Sequence, residues 1–200
     1  MKSPHGVILA GGMATRMGGG DKGLLPLGSG TILDQVIARL SPQVAGLALN
    51  ANGNPARFAS LNLPVIGDSI TGFAGPLAGV LAGLDWAAKA GAGTIVTVAA
   101  DTPFFPCDLV PRLQLATEGM VHPLALAATP DGRHPTFGLW SVDLREDLRA
   151  ALSGGLRKVV QWTDAHGGQS ALFEGAGDPF FNVNTPEDLA IAQARAEGKA

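Results

Sequence analysis

The stretch GVILAGGMATRMGGGDKG, Gly6 to Gly23, runs from an apolar segment straight into a loop with few side chains. Its last fifteen residues, from Leu9, hold six glycines, two cations (Arg16 and Lys22) and one carboxylate (Asp21). A short run that is apolar at successive positions suits a strand covered on both faces, as in parallel sheets. Glycines permit positive φ and let backbone N–H groups approach a ligand with no Cβ in the way, which is how a loop cradles phosphate oxygens. Arg16 and Lys22 would then neutralise phosphate charge.

The same alternation continues along the chain. HGVILA, His5 to Ala10, reads as a strand. TILDQVIARLSP, with apolar residues at Ile32, Leu33, Val36, Ile37 and Leu40, reads as a helix, and VAGLALN, ending at Asn50, as a strand. LPVIGD (Leu63 to Asp68), a helix opening at Pro76, and GTIVTVAAD, ending at Asp101, repeat the pattern. The expectation is an α/β protein, doubly wound, with a mostly parallel sheet and helices on both faces in a single domain. Ligands of such sheets lie outside the carboxyl ends of the strands. The glycine loop, Asn50, Asp68 and Asp101 all fall just past strand ends, so four loops converge on one rim.

In the second half, FFPCDLVPRLQLA reads as a helix with Asp108 in its first turn, and PLALAA and HPTFGLW as strands around the turn TPDGR. VDLREDLRAALSGG and LRKVVQWTDAHGG read as helices and SALFEG as a strand. TPEDLAIAQARAEG is a helix capped by Thr185 with Pro186 at its first position. With no linker or repeat, this half completes the same domain.

Two hundred residues, 46% of them hydrophobic, supply one continuous core. A formal charge of -3 carries no basic excess, so no nucleic-acid partner is expected and any anion site must be local. The single cysteine, Cys107, excludes an internal disulfide and a thiolate zinc cluster and fits a reducing compartment. MKSPHGVILAGG lacks a long apolar h-region, and no apolar run nears the roughly 20 residues of a membrane span. A cytoplasmic chain without a membrane partner is the expectation.

Three standard readings compete for the glycine loop. A Walker A loop needs Ser or Thr after its Gly-Lys, whereas Lys22 follows Asp21 and Gly23 is followed by Leu24, so that reading fails. A dinucleotide fingerprint extracted as Gly18, Gly20 and Gly23 begins eight residues late and runs into LLPLGSG, which looks extended rather than helical. A surface loop holding nothing is the third.

LAGGMATRMGGGDKGLLPLG resembles the nucleotidyltransferase signature L-A-(G/A)-G-x-x-x-R-M-G-x-x-K, and its insertion GGGDKGLL is similar to that of the molybdenum cofactor guanylyltransferases, the MobA family. The likeness continues in order through PQVAGLALNANGN, PVIGDSITGFAGPLAGVLAGL, VTVAADTPFFPCDLVPRL, HPTFGLW, RKVVQW and DPFFNVNTPEDL. The family fold is a single Rossmann-like α/β domain. The resemblance implies a nucleotide-binding half at about 1–105 and an acceptor-binding half at about 106–200. It also implies transfer of GMP from GTP to the terminal phosphate of molybdopterin carrying molybdenum, with release of pyrophosphate. Where the family usually carries a Cys at position 100, this chain has Ala100, of similarly small volume.

The chemistry sets its own requirements. A phosphate monoester has a second pKa of about 6, so the acceptor is largely ionised near pH 7 and needs no general base. The task is to bring two polyanions together and neutralise developing charge. In the resemblance Asp101 holds Mg²⁺, the expected cofactor, which commonly takes only one or two protein carboxylates. Lys22 and Arg16 contact the triphosphate. The backbone of Leu9, Ala10 and Gly11 faces guanine or ribose, Asn50 adds an amide, and Asp68 meets ribose hydroxyls or the metal's waters. Gly11 goes with guanine where cytidylyltransferase relatives carry AAG. On the acceptor side stand Gly75, Arg157, Lys158, Asn182 and Asn184. A monomer is expected, with docking to molybdenum-insertion and chaperone proteins.

The alternatives are a CTP-dependent relative acting on the same pterin, a sugar-1-phosphate nucleotidyltransferase, and a non-catalytic carrier of nucleotide or cofactor. His134 and His166 are expected to make structural hydrogen bonds, His5 and His122 have no assignable role, and Trp86, Trp140 and Trp162 are expected in the core.

Overall fold

The computed structural model describes residues 3–11, 21–70, 72, 75–174 and 177–198. In β1 (His5–Leu9) the adjacent Val7 and Ile8 are both fully buried, yet they point to opposite faces. Two packed layers therefore lie one on each side of this strand. A small antiparallel hairpin follows, β2 (Pro26–Leu27) and β3 (Gly30–Thr31). α1 (Ile32–Leu40) starts at a capping box, in which the Thr31 hydroxyl accepts from the Asp34 N–H while Asp34 accepts from the Thr31 N–H. Then come β4 (Gly46–Asn50), β5 (Val65–Ile66), α2 (Pro76–Lys89) and β6 (Thr94–Ala99). α3 (Leu109–Ala116), β7 (Leu124–Thr129), β8 (Gly132–Ser141), α4 (Arg145–Ser153), α5 (Val159–Ala165), β9 (Gln169–Leu172) and α6 (Pro186–Ala196) complete the chain.

Seven strands form one sheet in the order β5-β4-β1-β6-β8-β7-β9. All neighbours pair parallel except β8, which runs against both β6 and β7. This is the doubly wound, mostly parallel, single-domain sheet that the alternating pattern implied. From β1 the chain steps outward to β4 and β5, then returns to place β6 on the other side of β1. The gap between the carboxyl ends of β1 and β6 is therefore the topological switch point, where such sheets open a ligand crevice.

One face packs α1 and α3 through Ile8, Leu33, Leu49, Val98, Phe105 and Leu113, and the other packs α2, α4 and α5 through Val7, Leu81, Leu84, Trp140, Leu148 and Trp162. Trp140 donates its indole N–H to the Thr97 hydroxyl at 2.9 Å, satisfying the polar handle that a buried tryptophan carries. A third cluster, Leu27, Ile32, Val183 and Ala192, fastens α6 to the β2–β3 hairpin. Among the described residues no helix is long and apolar enough to cross a membrane.

The sequence reading departs from this structure in three details. The strand expected over Leu63–Asp68 pairs only at Val65 and Ile66, because Gly67 and Asp68 bend away to meet Asn52. Asp108 precedes the first turn of α3 instead of lying in it, and its carboxylate takes the Arg112 guanidinium at 2.6 Å. Trp140 and Trp162 are core, but Trp86 is half-buried at the edge of its cluster, where His5 meets it edge-on.

Candidate active site

The rim is assembled by extending the sheet ladder past the strand ends. Ala10 N–H donates to the Asn50 carbonyl at 2.9 Å, Ala100 N–H to the Leu9 carbonyl at 3.1 Å, and Ala51 N–H to the Ile66 carbonyl at 3.0 Å. These bonds hold the loops after β1, β4, β5 and β6 in register, which is the convergence expected from the sequence. A concave pocket opens among them, walled by Leu9, Ala10, Asp21, Lys22, Phe58 and Asp101. The ladder occupies the Leu9 carbonyl and the Ala10 N–H, so a ligand read by this backbone meets the groups from the Ala10 carbonyl onward, including Gly11.

Lys22 opens a short 3₁₀ turn, Lys22–Leu24, directly beneath the pocket. Its ammonium donates to Asn184 Oδ1 at 2.6 Å and stands 3.9 Å from Asp101 Oδ2. Asp101 lies two residues beyond β6, and among the described residues its side-chain donor is the Thr102 hydroxyl, at 3.4 Å. Burial pushes its carboxyl above the ordinary value, opposed by the Lys22 charge, its own backbone N–H and the Thr102 hydroxyl. Among the described residues the nearest cation to this partly buried carboxylate is 3.9 Å away, which leaves it under-compensated by them.

On the β4–β5 side the polar groups satisfy one another. Asn50 is 2% exposed and donates from Nδ2 to the Ile66 carbonyl at 3.2 Å and to Asp68 Oδ1 at 3.0 Å. Asn52 donates to Asp68 Oδ2 at 2.8 Å and accepts the Asp68 N–H at 2.9 Å. Helix α2 reaches this corner because residue 79 is glycine: a Cβ there would lie 2.3 Å from Asn50 Oδ1 and 2.9 Å from Leu9 Cδ2. Gly75 caps α2 one turn higher with φ 144°, a conformation that favours glycine.

The acceptor-side candidates scatter. Asn184 meets Lys22 at the rim, while Asn182 is exposed two residues earlier. Neither Arg157 nor Lys158 borders the pocket. The Arg157 guanidinium donates to the Leu152 carbonyl in the last turn of α4 and to the Leu156 carbonyl in the connection that follows, and Lys158 is the exposed residue before α5. Arg16 lies outside the described residues, as do Thr71, Phe73 and Ala74 of the TGFAGPLAG segment. His134 does make a structural contact, with Nε2 3.1 Å from the Thr129 hydroxyl and its ring stacked on Phe180. His166 likewise sets Nδ1 2.9 Å from the Trp162 carbonyl and Nε2 2.8 Å from Asp147.

Four contributors escaped the sequence reading. Arg57 pairs with Asp21 at 2.6 Å, donates to the Asn52 and Asn54 carbonyls and covers Phe58, so it clips the loop after β4 to the residue before Lys22. Nothing in NPARFAS signals that reach. Asn52 lay in the amide-rich NANGN, which was a usable hint. Gly79 matters through Asn50 and Leu9, far away in sequence, whereas Asp188 acts locally, in the capping box of α6 with Asn184 and Thr185.

A charged pair at the switch point of a doubly wound sheet suits a crevice for phosphates, and the class of protein is an α/β nucleotidyltransferase. The chain belongs to the MobA-like NTP transferase family, whose model matches residues 6–169. It is 50% identical over 196 residues to a molybdenum cofactor guanylyltransferase of Mesorhizobium japonicum, covering 94% of this chain and 93% of that one. It is 52% identical over 195 residues to a molybdenum cofactor guanylyltransferase of Bradyrhizobium sp., covering 96% and 92%. Its fold is similar to the crystal structure of molybdopterin-guanine dinucleotide biosynthesis protein A from Archaeoglobus fulgidus, with TM-score 0.74, 21% identity, and 97% and 99% of the two chains covered.

Proposed function

We propose that this enzyme transfers GMP from GTP to the terminal phosphate of molybdopterin carrying molybdenum, giving the guanine dinucleotide cofactor and pyrophosphate. Two guanylyltransferases are about half identical to it along nearly its whole length, which supports the substrate pair. The observation that carries the reading is the pair Lys22 and Asp101, held 3.9 Å apart at the β1–β6 switch point.

In the reaction an oxygen of the acceptor phosphate forms a bond to the α-phosphorus of GTP. The bond from that phosphorus to the oxygen bridging toward the β-phosphorus breaks, and its electron pair leaves with pyrophosphate. The acceptor is already ionised, so no residue has to take its proton. Lys22 binds and orients the triphosphate, and the backbone from Ala10 through Gly11 borders the base or ribose. Asp68, braced by two amides, shapes the ribose side of the crevice.

A magnesium ion fits the residues present. Among the described residues no group of three or more His, Cys, Asp or Glu gathers around a common point. The under-compensated Asp101 carboxylate would hold the ion with substrate oxygens and water completing its shell, as magnesium commonly requires. Bound there, the ion supplies charge neutralisation for the phosphates.

The test is direct. Purified protein with GTP, Mg²⁺ and molybdopterin should release pyrophosphate and form the guanine dinucleotide, followed by mass spectrometry. Preferential turnover of CTP, or of a sugar 1-phosphate in place of the pterin, overturns the assignment.

A further inference from the structure

We infer that Asn184 is a positioning residue of the nucleotide site, acting through Lys22: its side-chain oxygen presents the lysine ammonium to the crevice and keeps it off Asp101. The inference rests on the reading of Lys22 as the group that receives the triphosphate. An ammonium can only donate, so the amide must turn its oxygen, not its nitrogen, toward Nζ. That contact is 2.6 Å, between residues 162 positions apart in the chain.

Asn184 is fixed from both sides. Behind it, the capping box of α6 has Asp188 Oδ2 accepting the N–H groups of Asn184 and Thr185, each at 2.9 Å, while the Thr185 hydroxyl accepts the Asp188 N–H at 3.1 Å. Ahead of it, Val183 N–H donates to the Asp101 carbonyl at 2.8 Å. Asp101 and Asn184 are therefore two acceptors mounted on one frame, and Lys22 hangs between them. With its ammonium drawn to the neutral oxygen, the lysine stays 3.9 Å from the carboxylate, about an ångström beyond a charge-assisted contact.

This spacing keeps both charges usable. One N–H of Lys22 serves Asn184, leaving others for phosphate oxygens, and the Asp101 carboxylate stays open to a cation. Remove the amide oxygen, and Coulomb attraction draws the ammonium onto Asp101, closing a contact pair that the triphosphate must first break.

The experiment is a double-mutant cycle read by equilibrium GTP binding in a calorimeter, with the acceptor KM measured alongside. Asn184→Ala should weaken GTP about tenfold, the scale of a lost hydrogen bond to a charged group. In a Lys22→Ala background the same change should have no further effect beyond about twofold, because its only route is through the lysine. Multiplying effects in the double variant, or a raised acceptor KM with GTP affinity unchanged, overturn the inference in favour of a direct acceptor contact. If Asn184→Ala does not fold, Asn184→Gln, which displaces the oxygen by one methylene, takes its place in the cycle with the same expected non-additivity. A wild type that fails to bind GTP overturns the nucleotide reading as well. A wild type weakened by Lys22→Ala but not by the Asn184 variants overturns this inference alone.

Discussion

Asp68 and Asp101 occupy matching places, each two residues past a parallel strand on the same rim, and their surroundings are opposite. Asp68 receives an amide on each carboxylate oxygen, at 3.0 and 2.8 Å, from Asn50 and Asn52. Asp101 has a hydroxyl at 3.4 Å and an ammonium at 3.9 Å. A saturated carboxylate braces the loop that carries it. An unsaturated one, pushed by burial toward its neutral form, leaves room for a cation, which is what the proposed reaction asks of it.

The widest separation between the two should appear on conversion of Asp101 to Asn. Turnover falls about 10²–10³-fold, the usual scale for losing one electrostatic group at a reaction centre, in steady-state assays. The ligand-free protein nevertheless melts at higher temperature near pH 7. Because the folded-state pKa is raised, the stabilising contribution of Asp101 is full below the ordinary carboxyl range and is lost as pH rises through the raised value, so the ionised form costs stability at neutrality. By the same sign, Mg²⁺ affinity should weaken as pH falls through that value. A variant that melts lower would make Asp101 a brace like Asp68.

Next in size is Gly79→Ala, which drives a methyl into Asn50 and Leu9. A cost of about 1–3 kcal/mol is expected, seen as a melting temperature lower by about 2–4 °C for each kcal/mol. Asp68→Asn leaves one of the two facing amides without an acceptor. It should cost about 1 kcal/mol in a denaturant titration and change turnover only several-fold, in contrast to Asp101. Smallest of all, Lys158→Ala tests whether the exposed start of α5 meets the acceptor: the acceptor KM should rise a few-fold with GTP affinity unchanged.

The fold was legible because its strands and helices write local periodicities into the chain. Val7 and Ile8 on opposite faces, Pro76 opening α2 and Thr185 capping α6 need no knowledge of distant neighbours. Lys22 and Asp101 drew notice in the sequence as a cation in a glycine loop and a carboxylate past a strand end, and the family resemblance gave them their expected roles. What stayed hidden depends on pairs. Arg57 matters through Asp21, Gly79 through Asn50, and Asn184 through Lys22, and no window of sequence contains both partners. Asn184 was visible as a polar residue in NVNTP, but its placement on the nucleotide corner comes from the Val183–Asp101 bond, a tertiary contact. Arg157 and Lys158 stand apart from the pocket walled by Lys22 and Asp101, so their part in acceptor binding rests on the sequence resemblance alone.

The bond between Val183 and Asp101 also has a bearing on biosynthesis. Strands β1, β4 and β6, with the helices that cover them, leave the ribosome well before α6, so the sheet can pair while Lys22 still lacks its partner. The contact between Lys22 and Asn184 can close only once residue 184 is available, so this corner is among the last parts of the rim to be completed.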